Sequence, residues 1–420
     1  MSGKIMNNLG SLPVVFASGQ GSTLTDVNGK NYIDFVSGIG VNCLGHNHPA
    51  LVKAICDQAA RQIHVSNYYN SDTGLAFAEE LLHRTGMDRL FFANSGAEAN
   101  EAAVKIARKS GWASDRAAGR PEGTRHIIVT LEKSFHGRTL TTLAATGQDK
   151  FHSPCFAPYT HGFRHIKAND YEALKTAFDD TVCAFMFECV QGEGGVNLVD
   201  RDWAQAACAA ARAAGAIVVA DEVQTGIGRT GTFLASEYLG TMPDVVTLAK
   251  GIAGGVPMGA CLARGAAAEI LVAGDHQSTF GGNPLACAAG RAVLAEVGTA
   301  DFLAAVTTNG EYIRSTIAGW KLPCITNIRG KGLMIGLDIT GRSDGPATAA
   351  EIQLACLKAG GTVADAQTGD AKAGGTGLCI STAGPQILRF LPPLTISRPE
   401  IDTGLSILYS VLTSKTNNGN

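Results

Sequence analysis

Apolar positions along the 420-residue chain fall into two patterns. Four short runs are almost continuously apolar: His126–Leu131, Ala184–Glu188, Ala216–Asp221 and Val245–Leu248. Each is rich in β-branched or aromatic residues with few charges, which is how a strand buried on both faces reads. Between them lie Ala-rich stretches of helical character such as Asp202–Ala214. Strand alternating with helix predicts an α/β fold with a mostly parallel sheet covered on both faces. Ligands of such sheets gather beyond the carboxyl ends of the strands. Glu188, Asp221 and Lys250 all stand at or just past such an end.

The two ends of the chain read differently. TLTDVNGKNYIDF, residues 23–35, holds two strand-like runs around an Asn-Gly turn. From about residue 300 onward, helical patterns mix with short strands such as LMIGLDI. A chain of this length exceeds one ordinary core. Residues 1–60 and 301–420 are therefore assigned to one smaller α+β domain, and 61–300 to a large domain. Ala359–Thr376 is rich in Gly, Ala, Thr and Asp and predicts a long exposed loop. Ser110–Arg125 is read as an expanded loop.

Composition narrows the function classes. Hydrophobic residues make up 45% and charged residues 17%, which suits a globular enzyme and excludes a disordered chain. The formal net charge is −3 and Lys and Arg form no long run, so nucleic acid and anionic membrane are not expected partners. The 11 cysteines are scattered, include no C-x-x-C pair and mostly sit among apolar residues. They read as reduced structural thiols, and no metal site is expected. The N-terminal MSGKIMNNLG has no apolar signal core, and no run reaches the roughly 18 apolar residues of a membrane span. A cytoplasmic location is expected.

Several positions carry candidate chemistry. Ser95-Gly96-Ala97-Glu98 fits a capping box before an Ala-rich helix. The open N–H groups of such a helix start form an anion site, with Gly96 and Ala97 small enough to admit a phosphate. An ordinary cap is the alternative. Asp221 closes an apolar strand, where a carboxylate needs a partner. A protonated pyridine nitrogen would serve, and so would a turn that the Asp caps. Lys250 follows an apolar strand and precedes GIAGG. Desolvation makes a lysine amine nucleophilic, although a surface lysine at a strand end is common. Phe135 could lie against a planar ring, and Arg138 and Arg389 could grip carboxylates. Glu193 sits in QGEGG, read as a flexible loop that could swing. Ser278 and Thr279 offer hydroxyls in a tight turn before a helix. Taken in order, these positions compose one pyridoxal phosphate (PLP) site. The phosphate goes to the helix start, the ring nitrogen to Asp221 and the aldehyde to Lys250, and Phe135 covers a ring face.

The segments NSGAEANEAAVKIARK, SFHGRT, ECVQGEGG, VVADEVQTGIGRTG, TLAKGIAGGVPMGA, STFGGNPLAC and LRFLPPL, with the N-terminal GKNYIDFVSGIGVNCLGHNHP, resemble the class III aminotransferases. The resemblance runs from about Phe16 to Leu394. It implies the type I PLP-dependent transferase fold, usually a homodimer with shared active sites. Lys250 would hold the cofactor covalently, Asp221 the ring nitrogen and Gln224 the phenolic oxygen. Phe135 would stack on the ring, and Gly96 and Ala97 would hold the phosphate. Thr279 would reach the phosphate from the partner subunit, and Ser278 would lie near the substrate. Arg138 is similar to the arginine that binds the carboxylate far from the reacting amine. Arg389 resembles the one that takes the α-carboxylate of glutamate, and Glu193 the carboxylate that masks it. The substrates implied are N2-acetyl-L-ornithine, whose conversion is a step of arginine biosynthesis, and 2-oxoglutarate. Ornithine, succinylornithine, succinyldiaminopimelate and 4-aminobutyrate are the alternative donors. Cys189 departs from the family, which commonly has Pro after the residue matching Glu188. A PLP racemase or decarboxylase would need no masked arginine. A simple phosphate-binding α/β protein would leave Lys250, Arg138 and Arg389 unexplained.

Overall fold

The computed structural model describes residues 5–6, 8, 10–341, 345–364, 371–373 and 375–414. Its centre is a seven-stranded sheet of β1 (Arg89–Ala93), β2 (Ile127–Leu131), β3 (Phe163–Ile166), β4 (Val182–Phe187), β5 (Ile217–Asp221), β6 (Val245–Leu248) and β7 (Gly259–Ala263). The strand order is β1-β7-β6-β5-β4-β2-β3. β5 runs parallel to β6 and β4, and β2 runs parallel to β3 and β4. Only β7 is reversed, antiparallel to both β6 and β1. The four apolar runs are thus β2, β4, β5 and β6, and every residue of β4 and β6 is buried.

Helices cover the sheet. α1 (Gly96–Ala117) packs on β4, β6 and β7. α2 (Arg201–Ala213) buries Trp203, Ala204, Ala207, Cys208 and Ala211, a stripe of helical period, and is capped by Asp200, which accepts from Trp203 N at 3.0 Å. The expected loop at Ser110–Arg125 is corrected: residues up to Ala117 belong to α1. Its Ser-Gly pair reads as a breaker, but Gly111 is there for contact. A Cβ on it would lie 2.1 Å from Arg125 O, so glycine lets the helix close on the chain entering β2.

The two ends of the chain meet in one small sheet. Strands Phe16–Gln20, Thr23–Asp26 and Asn31–Asp34 are antiparallel, and Gly377–Cys379 pairs in parallel with Asn31–Asp34. The Asn28-Gly29 turn is closed by Asp26, which accepts from Asn28 N and Lys30 N. A second sheet has Ile325–Lys331, Met334–Ile339, Ile387–Phe390 and Ser381–Thr382 in that spatial order, all antiparallel. One apolar cluster runs from Phe35 through Leu248 and Val293 to Leu337, Phe390 and Leu408, so ends and middle share a core. Within Ala359–Thr376, Thr362–Ala364 pairs with Ala371–Ala373. The remainder of that expected loop at 365–370 and 374 lies outside the described residues. No helix among the described residues is long and apolar enough to cross a membrane.

Candidate active site

The parallel strands deliver their carboxyl ends to one edge, and a cavity of about 430 Å³ opens there. Asn94–Ala97 follow β1, Phe135–Arg138 follow β2, Glu188 follows β4, Asp221 ends β5 with Glu222–Gln224 after it, and Ala249-Lys250 follow β6; all line the cavity except Glu222. Because β7 is reversed, the chain entering it adds Gly255–Met258 at the same edge.

At the helix start, Ser95 accepts from Glu98 N at 3.2 Å. The expected reciprocal half of the capping box is absent. The Glu98 carboxylate instead takes Asn94 N and Asn94 Nδ2, at 2.7 and 2.9 Å, because two donors there compete with one on Ser95. The N–H groups of Gly96 and Ala97, in the first turn, have no acceptor within the helix.

Asp221 is buried, and its two oxygens have separate duties. Oδ1 accepts from Val223 N at 3.0 Å, closing the turn after β5. Oδ2 accepts from Asn100 Nδ2 at 2.8 Å and meets His136 Nδ1 at 2.7 Å. Asn100 also donates to His136 O at 2.7 Å. Neither Asn100 nor His136 was assigned a role from sequence. The available signal was a polar residue one helical turn into an Ala-rich face, and a histidine between Phe135 and Arg138.

Lys250 sits at φ +48°, a backbone state uncommon for a residue with a side chain, and its amine has no hydrogen-bond partner among the described residues. Burial pushes that amine below the ordinary lysine value; Glu193 and Asp221 oppose the shift and Arg389 adds to it. Burial, and then the charge of Asp221, hold the Glu188 carboxyl well above the usual carboxylate range, although it accepts from Phe135 N at 2.9 Å.

Arg389, on strand Ile387–Phe390, is buried and donates to Glu193 Oε1 at 2.5 Å and to Gln224 Oε1 and Ser381 Oγ at 3.3 Å. Gln224 Nε2 donates to the same Glu193 oxygen at 3.3 Å. Burial alone would raise the Glu193 carboxyl, but Arg389, Lys250 and Gln224 together leave the group below its ordinary value. Arg138 is exposed at the cavity mouth, its guanidinium 4.1 Å from the Phe151 ring and 5.4 Å from that of Phe135. Ser278 Oγ accepts from Asn94 Nδ2 at 2.9 Å. Thr279 is exposed and does not line the cavity of its own chain. Among the described residues no group of three or more His, Cys, Asp or Glu could hold a metal ion.

These residues fit pyridoxal phosphate. An unpartnered amine, a buried carboxylate and an open helix start line one cavity, and two buried polar atoms beside it, Asn100 Oδ1 and His136 Nε2, lack partners. The sequence profile of the family Aminotransferase class-III matches residues 5–412. The chain belongs to the class III aminotransferases. It is 43% identical to the acetylornithine aminotransferase of Caldanaerobacter subterraneus, over 97% of each chain. Among solved structures, N-acetylornithine aminotransferase from Stenotrophomonas maltophilia is 35% identical and superimposes with a TM-score of 0.79, over 97% of each chain. The ornithine aminotransferase of Toxoplasma gondii, in a structure described as having partial occupancy of PLP at the active site, is 30% identical. It covers 96% of this chain and 91% of its own, with a TM-score of 0.85. The fold is therefore the type I PLP-dependent transferase fold, and the protein is a PLP-dependent aminotransferase.

Proposed function

We propose that this aminotransferase moves the terminal amine of N2-acetyl-L-ornithine to 2-oxoglutarate, giving N-acetyl-L-glutamate 5-semialdehyde and L-glutamate in arginine biosynthesis. The observation that carries the reading is Arg389 masked by Glu193 while Arg138 stays open at the cavity mouth. The names of the relatives support the donor.

In this reading the first turn at Gly96 and Ala97 takes the phosphate, Asp221 the ring nitrogen, Gln224 the phenolic oxygen and Lys250 Nζ the aldehyde, with Phe135 against the ring. Bound there, PLP supplies an aldehyde that captures the amino group and a ring that takes up electrons. Asn100 and His136 orient the Asp221 carboxylate. Lys250 Nζ would take a proton from the carbon bearing the substrate amine, and burial, which lowers its basicity, favours the neutral amine that this role needs. Acetylornithine reacts at a carbon that bears no carboxylate. Arg389 then has no ligand, and an unpaired buried guanidinium is costly, so Glu193 stays on it. Glutamate and 2-oxoglutarate bring a carboxylate that displaces Glu193 and takes Arg389 bidentately. Arg138 holds the far carboxylate of either substrate.

The reading includes a homodimer in which Thr279 and Ser278 serve the partner's site. The exposure of Tyr68, Tyr69 and Phe280 beside this turn supports it. Its cytoplasmic setting rests on eleven cysteines without a disulfide. The division at residues 60 and 300 into large and small domains belongs to the same proposal.

The test is a panel of amino donors with 2-oxoglutarate, reading glutamate formation. Acetylornithine should give the highest kcat/KM. A higher value for ornithine or 4-aminobutyrate would overturn the donor assignment. For the switch, Glu193→Ala should slow the acetylornithine half-reaction and spare or speed that of glutamate, followed by cofactor absorbance in single turnovers. Equal slowing of both would remove Glu193 from that role.

A further inference from the structure

The segment bearing Glu193 was expected to swing, but its backbone is pinned. It is the tip of a short hairpin, Val190–Gln191 paired with Asn197–Leu198. Asn197 Nδ2 donates to Gly194 O at 2.8 Å. Val196 is buried against Val190, Met334 and Leu391 and sits at φ +57°. For a β-branched residue that is an outlier, held only where surroundings over-determine it.

The second sheet supplies those surroundings. Arg329 lies opposite Gly336, and Gly336 opposite Arg389, so three residues stand level across three adjacent strands. Residues directly opposite in antiparallel strands point to the same face. Two arginines therefore flank a glycine. The hairpin tip sits in that gap: a Cβ on Gly336 would lie 2.9 Å from Val196 Cβ and 3.1 Å from Gly195 O. On one side Arg389 holds the Glu193 carboxylate. On the other, Arg329 donates to Gly195 O from Nε at 3.0 Å and also from Nη2, while its Nη1 pairs with Asp338 at 2.6 Å. Gly195 O belongs to the peptide that leads into the strained Val196.

We propose that Arg329 is a positioning residue for substrate choice: by gripping Gly195 O across the Gly336 gap it fixes the hairpin tip, and so sets how well Glu193 masks Arg389. The proposal rests on the Glu193–Arg389 switch described above. With the backbone held, Glu193 leaves and returns by rotating its own side chain, and the tip stays in place. Without Arg329 the peptide before Val196 is free to turn, Glu193 loses register with Arg389, and the mask weakens. The apparent affinity of Arg389 for a carboxylate is reduced by the fraction of time it is masked, so weaker masking favours α-carboxylate ligands.

The experiment compares Arg329→Met, Arg329→Lys, Gly336→Ala and Glu193→Gln, alone and with Arg329→Met combined with Glu193→Gln. Two quantities are read: the ratio of the glutamate to the acetylornithine half-reaction, and the affinity for glutarate, a non-reacting dicarboxylate, by calorimetry. Arg329→Met should raise the ratio by about fivefold or more and tighten glutarate binding to a similar degree. Arg329→Lys should recover much of the ratio, because one donor to Gly195 O remains. Gly336→Ala, which pushes the tip from the other side, should shift both quantities in the same direction. In the Glu193→Gln background, Arg329→Met should add less than about twofold, since both act through one contact. A fall in thermal stability with an unchanged ratio, or full additivity with Glu193→Gln, would overturn the role of Arg329 and leave the switch standing. An unchanged ratio in Glu193→Gln itself would overturn the switch and this proposal with it.

Discussion

Asn100 offers a quantitative test of how the cavity is built. It donates twice, to His136 O at 2.7 Å and to Asp221 Oδ2 at 2.8 Å, while its own Oδ1 is buried without a partner. Asn100→Leu keeps the branching at Cγ and removes both donors. A bond to a neutral carbonyl contributes about 1 kcal/mol net, and one to a carboxylate about 1.5–3 kcal/mol. Removing the unpaired Oδ1 returns on the order of 1 kcal/mol. The expected net loss is about 2 kcal/mol of stability in the cofactor-free chain. It should appear as a lower urea midpoint with an unchanged slope. Asp221 would also be held less firmly for the ring nitrogen. The affinity for PLP, titrated by visible absorbance, should weaken by about tenfold, or ~1.4 kcal/mol. A midpoint and an affinity both unchanged within about twofold would refute the claim that Asn100 positions Asp221.

Other outcomes follow from single features of the structure. Lys250→Ala should lose the visible absorbance of covalently held cofactor and nearly all turnover; ordinary activity in that variant would remove Lys250 from the covalent step. His165 meets Thr130 Oγ1 at 2.6 Å, and its pKa is lowered by burial and by the neighbouring His152 and His136. The folded chain therefore binds this proton more weakly than the unfolded chain, so stability should fall as pH drops below about 6.5 and level off below the folded-state pKa. In His165→Asn the melting temperature should fall less between pH 7.5 and 5, and an identical fall would contradict the assignment. Cys56 and Cys155 are exposed and the other nine cysteines are buried, with burial pushing Cys43, Cys183, Cys261, Cys287 and Cys356 up to about 12. A thiol reagent should modify at most two sites in the folded protein and all eleven in denaturant; rapid modification of a third folded-state thiol would contradict this burial.

What the sequence made legible was local. β2, β4, β5 and β6 are contiguous apolar runs, and a parallel sheet buried on both faces demands such runs. β7 escaped because GACLA is built of small residues and lies reversed between two neighbours, so it carries neither alternation nor β-branched bulk. The α1 boundary was misread for the opposite reason: a Ser-Gly pair mimics a breaker, although its glycine serves a contact with Arg125. Partners distant in sequence were harder still. Arg329 and the carbonyl it holds are 134 residues apart, and a backbone acceptor leaves no mark on the sequence at all. Glu193 read as mobile because Gly-rich chain usually is, yet here the glycines let the tip approach Lys133 and fit the gap at Gly336. Asp221 shows the limit most clearly. Its position at a strand end allowed two readings, a turn cap or a partner for a cationic ring nitrogen, as though one excluded the other. In the structure Oδ1 closes the turn through Val223 N, while Oδ2 is aimed by Asn100 and His136. The turn that looked like the duller alternative is what keeps the second oxygen at the cavity.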